Sequence, residues 1–271
     1  MNTLSPPKPI SRRGWSRRFE YAWDLLVVLV LKELRVRYKR TVLGYAWSLL
    51  QPLAFAVVYY VVFKQFLRIP TGDVNYTLFL ICGLFSWQWF ANGVVSSTVA
   101  LVGNGPLITK VKFPRVYAVL SGVVNDTIHF LLAAPVVFVF LLAFGHKAHW
   151  SWLWLLPALL LVQLTMVMGL SLLLATLNLF LRDLERLVTI AVLMLFHLTP
   201  VVYPSAMIPE GYRWILYVNP MGALTVAWRE AFLYGRVDPG MVVTSVGMAA
   251  GLMLLGVVVF RRMQWRFAEV V

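Results

Sequence analysis

The run Trp152-Leu-Trp-Leu-Leu-Pro-Ala-Leu-Leu-Leu-Val-Gln-Leu-Thr-Met-Val-Met-Gly-Leu-Ser-Leu-Leu-Leu-Ala-Thr-Leu-Asn-Leu-Phe180 contains no charged residue. A bilayer core about 30 Å thick needs roughly 20 apolar residues of helix, so this run crosses with length to spare and is expected to tilt or protrude. Runs of the same kind lie at 46–66, 78–101, 117–144, 188–204 and 241–260. The composition agrees with that pattern. Apolar residues make up 61% of the 271-residue chain and charged residues 13%, against about 45–50% and about a quarter in soluble domains. The mean hydropathy is +0.78. The fold class read from this is an all-α integral membrane protein with six transmembrane helices.

Lys and Arg number 24 against 11 Asp and Glu, a net charge of +13. A basic excess on so apolar a chain points to a membrane protein rather than a nucleic-acid binder, and no nucleic-acid partner is expected. The basic residues also set the orientation. With the N-terminus inside, 18 of them fall on the cytoplasmic side: ten before Gly44, then Lys110, Lys112, Arg115, Arg182, Arg186, Arg261, Arg262 and Arg266. Six fall outside, at Lys64, Arg68, Lys147, Arg213, Arg229 and Arg236. Both termini are expected in the cytoplasm. The stretch Leu25 to Leu31 is too short for a secretory signal and ends at Lys32, so no signal peptide is expected.

Three regions result: a basic arm at 1–20, an amphipathic interface helix at 21–44 and a single six-span domain at 45–271. Within the last, residues 205–236 read as an outer re-entrant segment. Its apolar stretch Tyr212–Tyr234 is interrupted by Asn219-Pro220, and proline removes a backbone donor and clashes with the preceding turn. A seventh span would put Arg261 and Arg262 outside, against the charge bias. Two short helices dipping in from the outer side fit better, and an amphipathic surface hairpin is the other reading.

On the interface helix, Val27, Leu31, Leu34 and Tyr38 share one face and Lys32, Arg35 and Lys39 another, while Glu33 and Arg37 stand at the i, i+4 spacing of a helix pair. A basic helix with one apolar stripe lies in the membrane interface. Its cations serve either as a snorkelling anchor on anionic lipid or as a site for an anionic headgroup such as pyrophosphate. The candidate headgroup gate comprises Lys32, Arg35, Arg37, Tyr38, Lys39 and Arg40.

The chemistry inside the spans is sparse. Ionisable groups embedded in a membrane are functional candidates, and here they are Asp126, His129 and His197. Asp126 and His129 stand at i, i+3, close enough for a proton relay or for hydrogen bonds to neighbouring helices. No nucleophile or metal set surrounds them, and no catalytic residue is assigned. The single cysteine, Cys82, excludes an internal disulfide and a cysteine zinc site. His146 and His149 are a weak metal signal, and no metal site is expected.

Aromatics carry more. Trp47, Gln51, Phe55, Tyr59 and Phe63 recur every four residues on the first span. Such a stripe packs against lipid or a helix, or it offers sugar rings a surface of weak, repeated contacts of the kind conduction requires. Trp87 and Trp89 sit too deep for an interfacial belt and are read as packing; Trp150, Trp152 and Trp154 are read as the belt itself. Gly247 and Gly251 form a G-x-x-x-G that permits close helix contact, within the chain or between chains.

The run Leu31-Lys-Glu-Leu-Arg-Val-Arg-Tyr-Lys-Arg-Thr-Val-Leu-Gly-Tyr-Ala-Trp-Ser-Leu-Leu-Gln-Pro-Leu53 resembles the gate helix and first span of type-2 ABC exporter permeases of the polysaccharide branch. These move lipid-linked O-antigen, teichoic acid or capsule, and the resemblance is strongest to O-antigen permeases. Asn178-Leu-Phe-Leu-Arg-Asp-Leu184, Thr199-Pro-Val-Val-Tyr-Pro204 and Asn219-Pro-Met221 agree in order and spacing, so the resemblance covers essentially the whole chain. Lys32-Glu33 replaces the Arg-Asp of many relatives with the same charges.

The resemblance implies a homodimer with two copies of a separate ATP-binding subunit in the bacterial cytoplasmic membrane. ATP and Mg would bind that partner, since the chain has no G-x-x-x-x-G-K-[ST] phosphate loop, and no cofactor of its own is expected. It also implies a polysaccharide channel lined by the first and fifth spans, adding Phe196 and Tyr203 to the stripe. Coupling to the ATPase falls on the loop of Lys110, Lys112, Phe113, Pro114 and Arg115, where Phe113-Pro114 forms an apolar knob. Arg182, Asp183 and Glu185 either take part in coupling or pair among themselves and with Arg186 to cap their helices. The rival functions are export of a small lipid or drug, and proton-coupled transport through Asp126 and His129.

Overall fold

The computed structural model describes residues 13–37, 46–72, 74–110 and 113–270. Among them the chain is mostly helical, without strands. Helix α1 runs Arg13–Arg37 and so begins inside the stretch read as the arm. Helix α2 (Trp47–Tyr59) continues as a π-helical stretch, Tyr60–Phe66. Then come α3 (Tyr76–Thr98), two short pieces α4 (Ala100–Gly103) and α5 (Gly105–Lys110), and the long α6 (Val116–Ala143) and α7 (Trp152–Phe180). Helix α8 (Leu184–Leu198) is followed by irregular chain, α9 (Ile215–Val218), α10 (Gly222–Tyr234), α11 (Pro239–Met263) and α12 (Phe267–Val270).

Among the described residues four helices are long and apolar enough to cross a membrane: α3, α6, α7 and α11 with its 3-10 extension to Arg266. They coincide with apolar runs of the sequence because, in hydrocarbon, a helix satisfies its own backbone. The breaks have local causes. Asn219-Pro220 separates α9 from α10, with Asn219 in extended conformation. Asp238 caps α11 through its carboxylate, accepting from the N–H groups of Gly240 and Met241, with Pro239 in the first turn.

Helix α3 is the axis of the molecule. It packs on α2, α6, α7, α8 and α10, and 78% of its apolar window is buried, against 17% for α11. Trp87, Trp89 and Phe90 are buried in this core, as the packing reading expected. The outer belt is less uniform than the sequence suggests. Trp150 and Trp154 are exposed, whereas Trp152 turns inward and donates its indole N–H to Ala231 O of α10 at 2.8 Å.

Helix α11 lies along α7 at a crossing of two glycines. A Cβ on Gly256 would collide with the carbonyl of Gly169, and a Cβ on Gly169 would fall 2.5 Å from Met253 N. A Cβ on Gly247 or Gly251 would meet nothing within 4 Å. Among the described residues the G-x-x-x-G of the last helix is therefore not a contact within the chain, whereas Gly256, five residues beyond Gly251, is.

Candidate functional site

The motif Thr199–Pro204 is irregular backbone braced from α3, α10 and Asn219. Helix α8 has 15 residues, about 22 Å at 1.5 Å per residue, which is shorter than a bilayer core. The chain that follows is not helical, yet Thr199, Val201 and Val202 are buried. Non-helical backbone at membrane depth needs its polar groups satisfied by protein. Here Arg229 of α10 does most of that. Its Nη2 donates to Pro200 O and Val201 O, both at 2.8 Å, and its Nε to Phe79 O at 3.2 Å. The guanidinium lies 3.6 Å from the Phe79 ring centroid, a close cation–π contact.

The Tyr76 hydroxyl of α3 donates to Val202 O at 2.8 Å. Asn219 Nδ2 donates to Thr199 Oγ1 at 2.7 Å, while Asn219 Oδ1 accepts from Met221 N at 3.0 Å. Two motifs separated in sequence, Thr199–Pro204 and Asn219-Pro-Met221, thus form one hydrogen-bonded unit. Gly83 makes the unit possible, since a Cβ there would lie 2.5 Å from Arg229 Nη2 and 3.0 Å from Val201 O. The sequence reading counts Arg229 among the outer charges. The signal that could have singled it out is a guanidinium within the otherwise mostly apolar segment Gly222–Tyr234.

Below this unit the aromatic stripe meets α8. Phe55 stacks on Tyr59 with centroids 6.0 Å apart, Tyr59 tilts against Phe63 at 5.9 Å, and Tyr59 stacks on Phe196 at 5.4 Å. Phe196 in turn meets Trp87 edge-on at 5.5 Å. The stripe grades from surface to core. Trp47 and Phe55 are 48% and 43% exposed and Phe196 only 6%, so Phe196 is a core residue of the chain that buttresses Tyr59. Tyr203 is half-buried and donates its hydroxyl to His197 O at 3.0 Å.

At the opposite end the loop read as a coupling surface is tied to the chain's own C-terminal segment. Arg115 donates to the backbone carbonyl of Gln264 and lies 5.8 Å from the ring of Phe267. Phe267 is fully buried beside Phe260, Leu101 and Ile108, and Phe113 packs on the same cluster. Phe113 is therefore half-buried against its own chain rather than a free knob, while Lys110 and Pro114 are exposed. Arg182, Asp183 and Glu185 are exposed, and no ion pair joins them among the described residues. The cap in this motif is Asn178, whose Oδ1 accepts from Glu185 N at 3.0 Å.

On α1, Trp23, Val27 and Leu31 form an exposed apolar stripe while Leu29 and Val30 are buried on the side of α6. The basic residues of this helix divide. Arg35 is exposed. Lys32 turns to α4, donating to Asn104 Oδ1 at 2.6 Å, with Glu33 Oε1 3.6 Å away. Tyr38, Lys39, Arg40 and Lys112 lie outside the described residues, as do the side chains of Arg37 and Gln51. In α6, Asp126 Oδ2 accepts from Ser96 Oγ of α3 at 2.5 Å, and Asn125 Oδ1 is buried without a hydrogen-bond partner among the described residues. An acceptor left so costs about 1–3 kcal/mol. No group of three or more His, Cys, Asp or Glu able to hold a metal occurs among the described residues.

Residues 24–233 match the sequence profile of the ABC-2 type transporter membrane domain. The chain belongs to the ABC-2 type transporter family. Within that family it is 41% identical over 250 residues, 92% of this chain and 96% of the relative, to the O-antigen export system permease protein RfbA of Klebsiella pneumoniae. It is 32% identical over 252 residues, 90% of this chain and 94% of the relative, to the RfbA protein of Myxococcus xanthus. The polysialic acid transport protein KpsM of Escherichia coli is 21% identical over 85% of this chain and 89% of its own length. As an ABC-2 permease the chain is an integral membrane protein.

Proposed function

We propose that this ABC-2 permease is the membrane subunit of an ATP-driven exporter that carries a lipid-pyrophosphate-linked polysaccharide, O-antigen, across the bacterial cytoplasmic membrane. One observation carries the reading: 41% identity along 92% of the chain to a permease named for O-antigen export. The 21% likeness to a polysialic acid transport protein favours capsule as the second cargo.

In this reading two copies pair, and each engages an ATP-binding subunit that holds ATP and Mg. Six spans are completed by α2 with its π-helical stretch and by α8 with the braced segment Thr199–Pro204. Both termini lie in the cytoplasm, where 18 of the 24 basic residues collect. Arg35, Arg37 and their neighbours gather the lipid pyrophosphate. The surface carrying Trp47, Phe55 and Tyr59 passes the sugar chain, because exposed rings offer it many shallow contacts and no deep one. Lys110, Pro114 and the exposed Arg182, Asp183 and Glu185 face the ATPase.

The experiment is deletion of the chain and complementation in its own bacterium, with surface polysaccharide resolved by gel and the co-purifying subunits weighed by mass spectrometry. The expected result is loss of the long O-polysaccharide ladder, restored by the wild-type chain, and recovery of an ATP-binding subunit one-to-one. An intact ladder in the deletion strain rejects the O-antigen reading. Loss of a capsular polymer instead supports the second cargo.

A further inference from the structure

A cavity of about 490 Å³ lies between α1, the end of α3, α4 and the first half of α6. That volume is within the usual range for small-molecule sites, about 300–1,000 Å³. Its chemistry comes from Lys32 and Glu33 of α1, Ser96 of α3, Asn104 after α4 and Asn125 of α6. Asn125 is 5% exposed and its Oδ1 is among the buried acceptors with no hydrogen-bond partner among the described residues. Part of the wall is glycine: a Cβ on Gly122 would meet nothing within 4 Å, so the space there is held open by the absence of a side chain.

The charges select the occupant. Lys32 supplies one ammonium and Glu33, 3.6 Å away, one carboxylate. Among the described lining residues, a ligand bearing only negative charge would meet the Glu33 carboxylate beside the Lys32 ammonium. A zwitterion faces a matched pair, its phosphate on Lys32 and its ammonium on Glu33, with Asn125 Oδ1 a further acceptor for the ammonium. The stripe Trp23, Val27 and Leu31 on the outer face of α1 is apolar and exposed, which places lipid beside the cavity.

We propose that this cavity binds the ammonium–phosphate headgroup of a zwitterionic phospholipid, which fixes α1 against α4 and α6. The site takes Lys32 out of the candidate pyrophosphate gate but requires no polysaccharide, so its failure and failure of the export reading are separate results.

The test uses the full chain purified in mild detergent, stripped of native lipid by exchange, and given synthetic phosphatidylethanolamine or phosphatidylglycerol. Bound lipid is counted by native mass spectrometry. The wild type is expected to retain one phosphatidylethanolamine per chain, preferred about tenfold over phosphatidylglycerol, the ratio that one charge-assisted contact supplies. Gly122→Leu fills the space and Glu33→Gln removes the ammonium partner. Each is expected to abolish the preference with helix content, read by circular dichroism, unchanged.

Soluble glycerophosphoethanolamine separates the headgroup from its acyl chains. Displacement of the lipid by it supports headgroup recognition, and no displacement at saturation overturns it. Equal retention of phosphatidylglycerol by the wild type also overturns the proposal, as does undiminished phosphatidylethanolamine preference in Glu33→Gln. The Glu33→Gln readout stands even where Gly122→Leu fails to fold.

Discussion

Gly256 of α11 rests directly on the carbonyl of Gly169 in α7, backbone against backbone, with no room for a Cβ between them. In hydrocarbon, helices gain from van der Waals packing and close approach rather than from apolar burial, so this crossing holds the otherwise exposed α11 to the core. Gly256→Leu would have to push two backbones apart. It is expected to lower the thermal midpoint of the detergent-purified chain well below that of Gly247→Leu, whose Cβ direction is open. Equal midpoints would show that the crossing contributes nothing to stability.

Arg229→Ala removes the donor to three backbone carbonyls, of Phe79, Pro200 and Val201. Each buried carbonyl left unsatisfied costs about 1–3 kcal/mol, and the cost concentrates on the segment after α8. The variant is expected to accumulate poorly or to expose Thr199–Pro204 to protease. Arg229→Lys keeps the charge but not the planar fork, and should recover only part of the loss. Protease resistance equal to wild type in Arg229→Ala would reject the bracing role.

Phe55 and Phe196 belong to one aromatic line, yet they differ in what surrounds them. Phe196→Ala empties a site between Tyr59 and Trp87 and should cost about 3–5 kcal/mol of stability. Phe55→Ala, 43% exposed, should leave the melting midpoint within a degree or two while slowing export of long chains. A pulse-chase of polysaccharide reaching the surface reads the second effect. Unchanged export in Phe55→Ala returns that part of the stripe to lipid packing.

The C-terminal segment braces the loop proposed to meet the ATPase, through Arg115, Gln264 and Phe267. Phe267→Ala deletes a fully buried ring at one end of the molecule, remote from the braced segment at the other. The chain should still insert, but export should fall and ATP-binding partner recovered by affinity purification should decrease. Wild-type recovery and export together would show that the loop holds its shape without the tail.

The sequence by itself determined the helices and their interruptions. The uncharged run at 152–180, the apolar run that became α6 and the Asn219-Pro220 break are local facts, because length, apolarity and a missing backbone donor act within a few residues. It also put the two Trp residues of α3 in the core, since both sit mid-helix, too deep for an interface.

Partners were settled only by the tertiary structure. Which glycine meets a neighbour depends on how α11 is rotated about its axis, and in sequence Gly247, Gly251 and Gly256 look alike. Arg229 reads as an outer charge until three carbonyls from α3 and the end of α8 converge on it. Lys32 and Arg35 carry the same charge on one helix, but only Lys32 has Asn104 and a cavity beside it. A side chain's role is set by the groups brought to it from far along the chain, and that convergence is a property of the packed fold, not of any window of sequence.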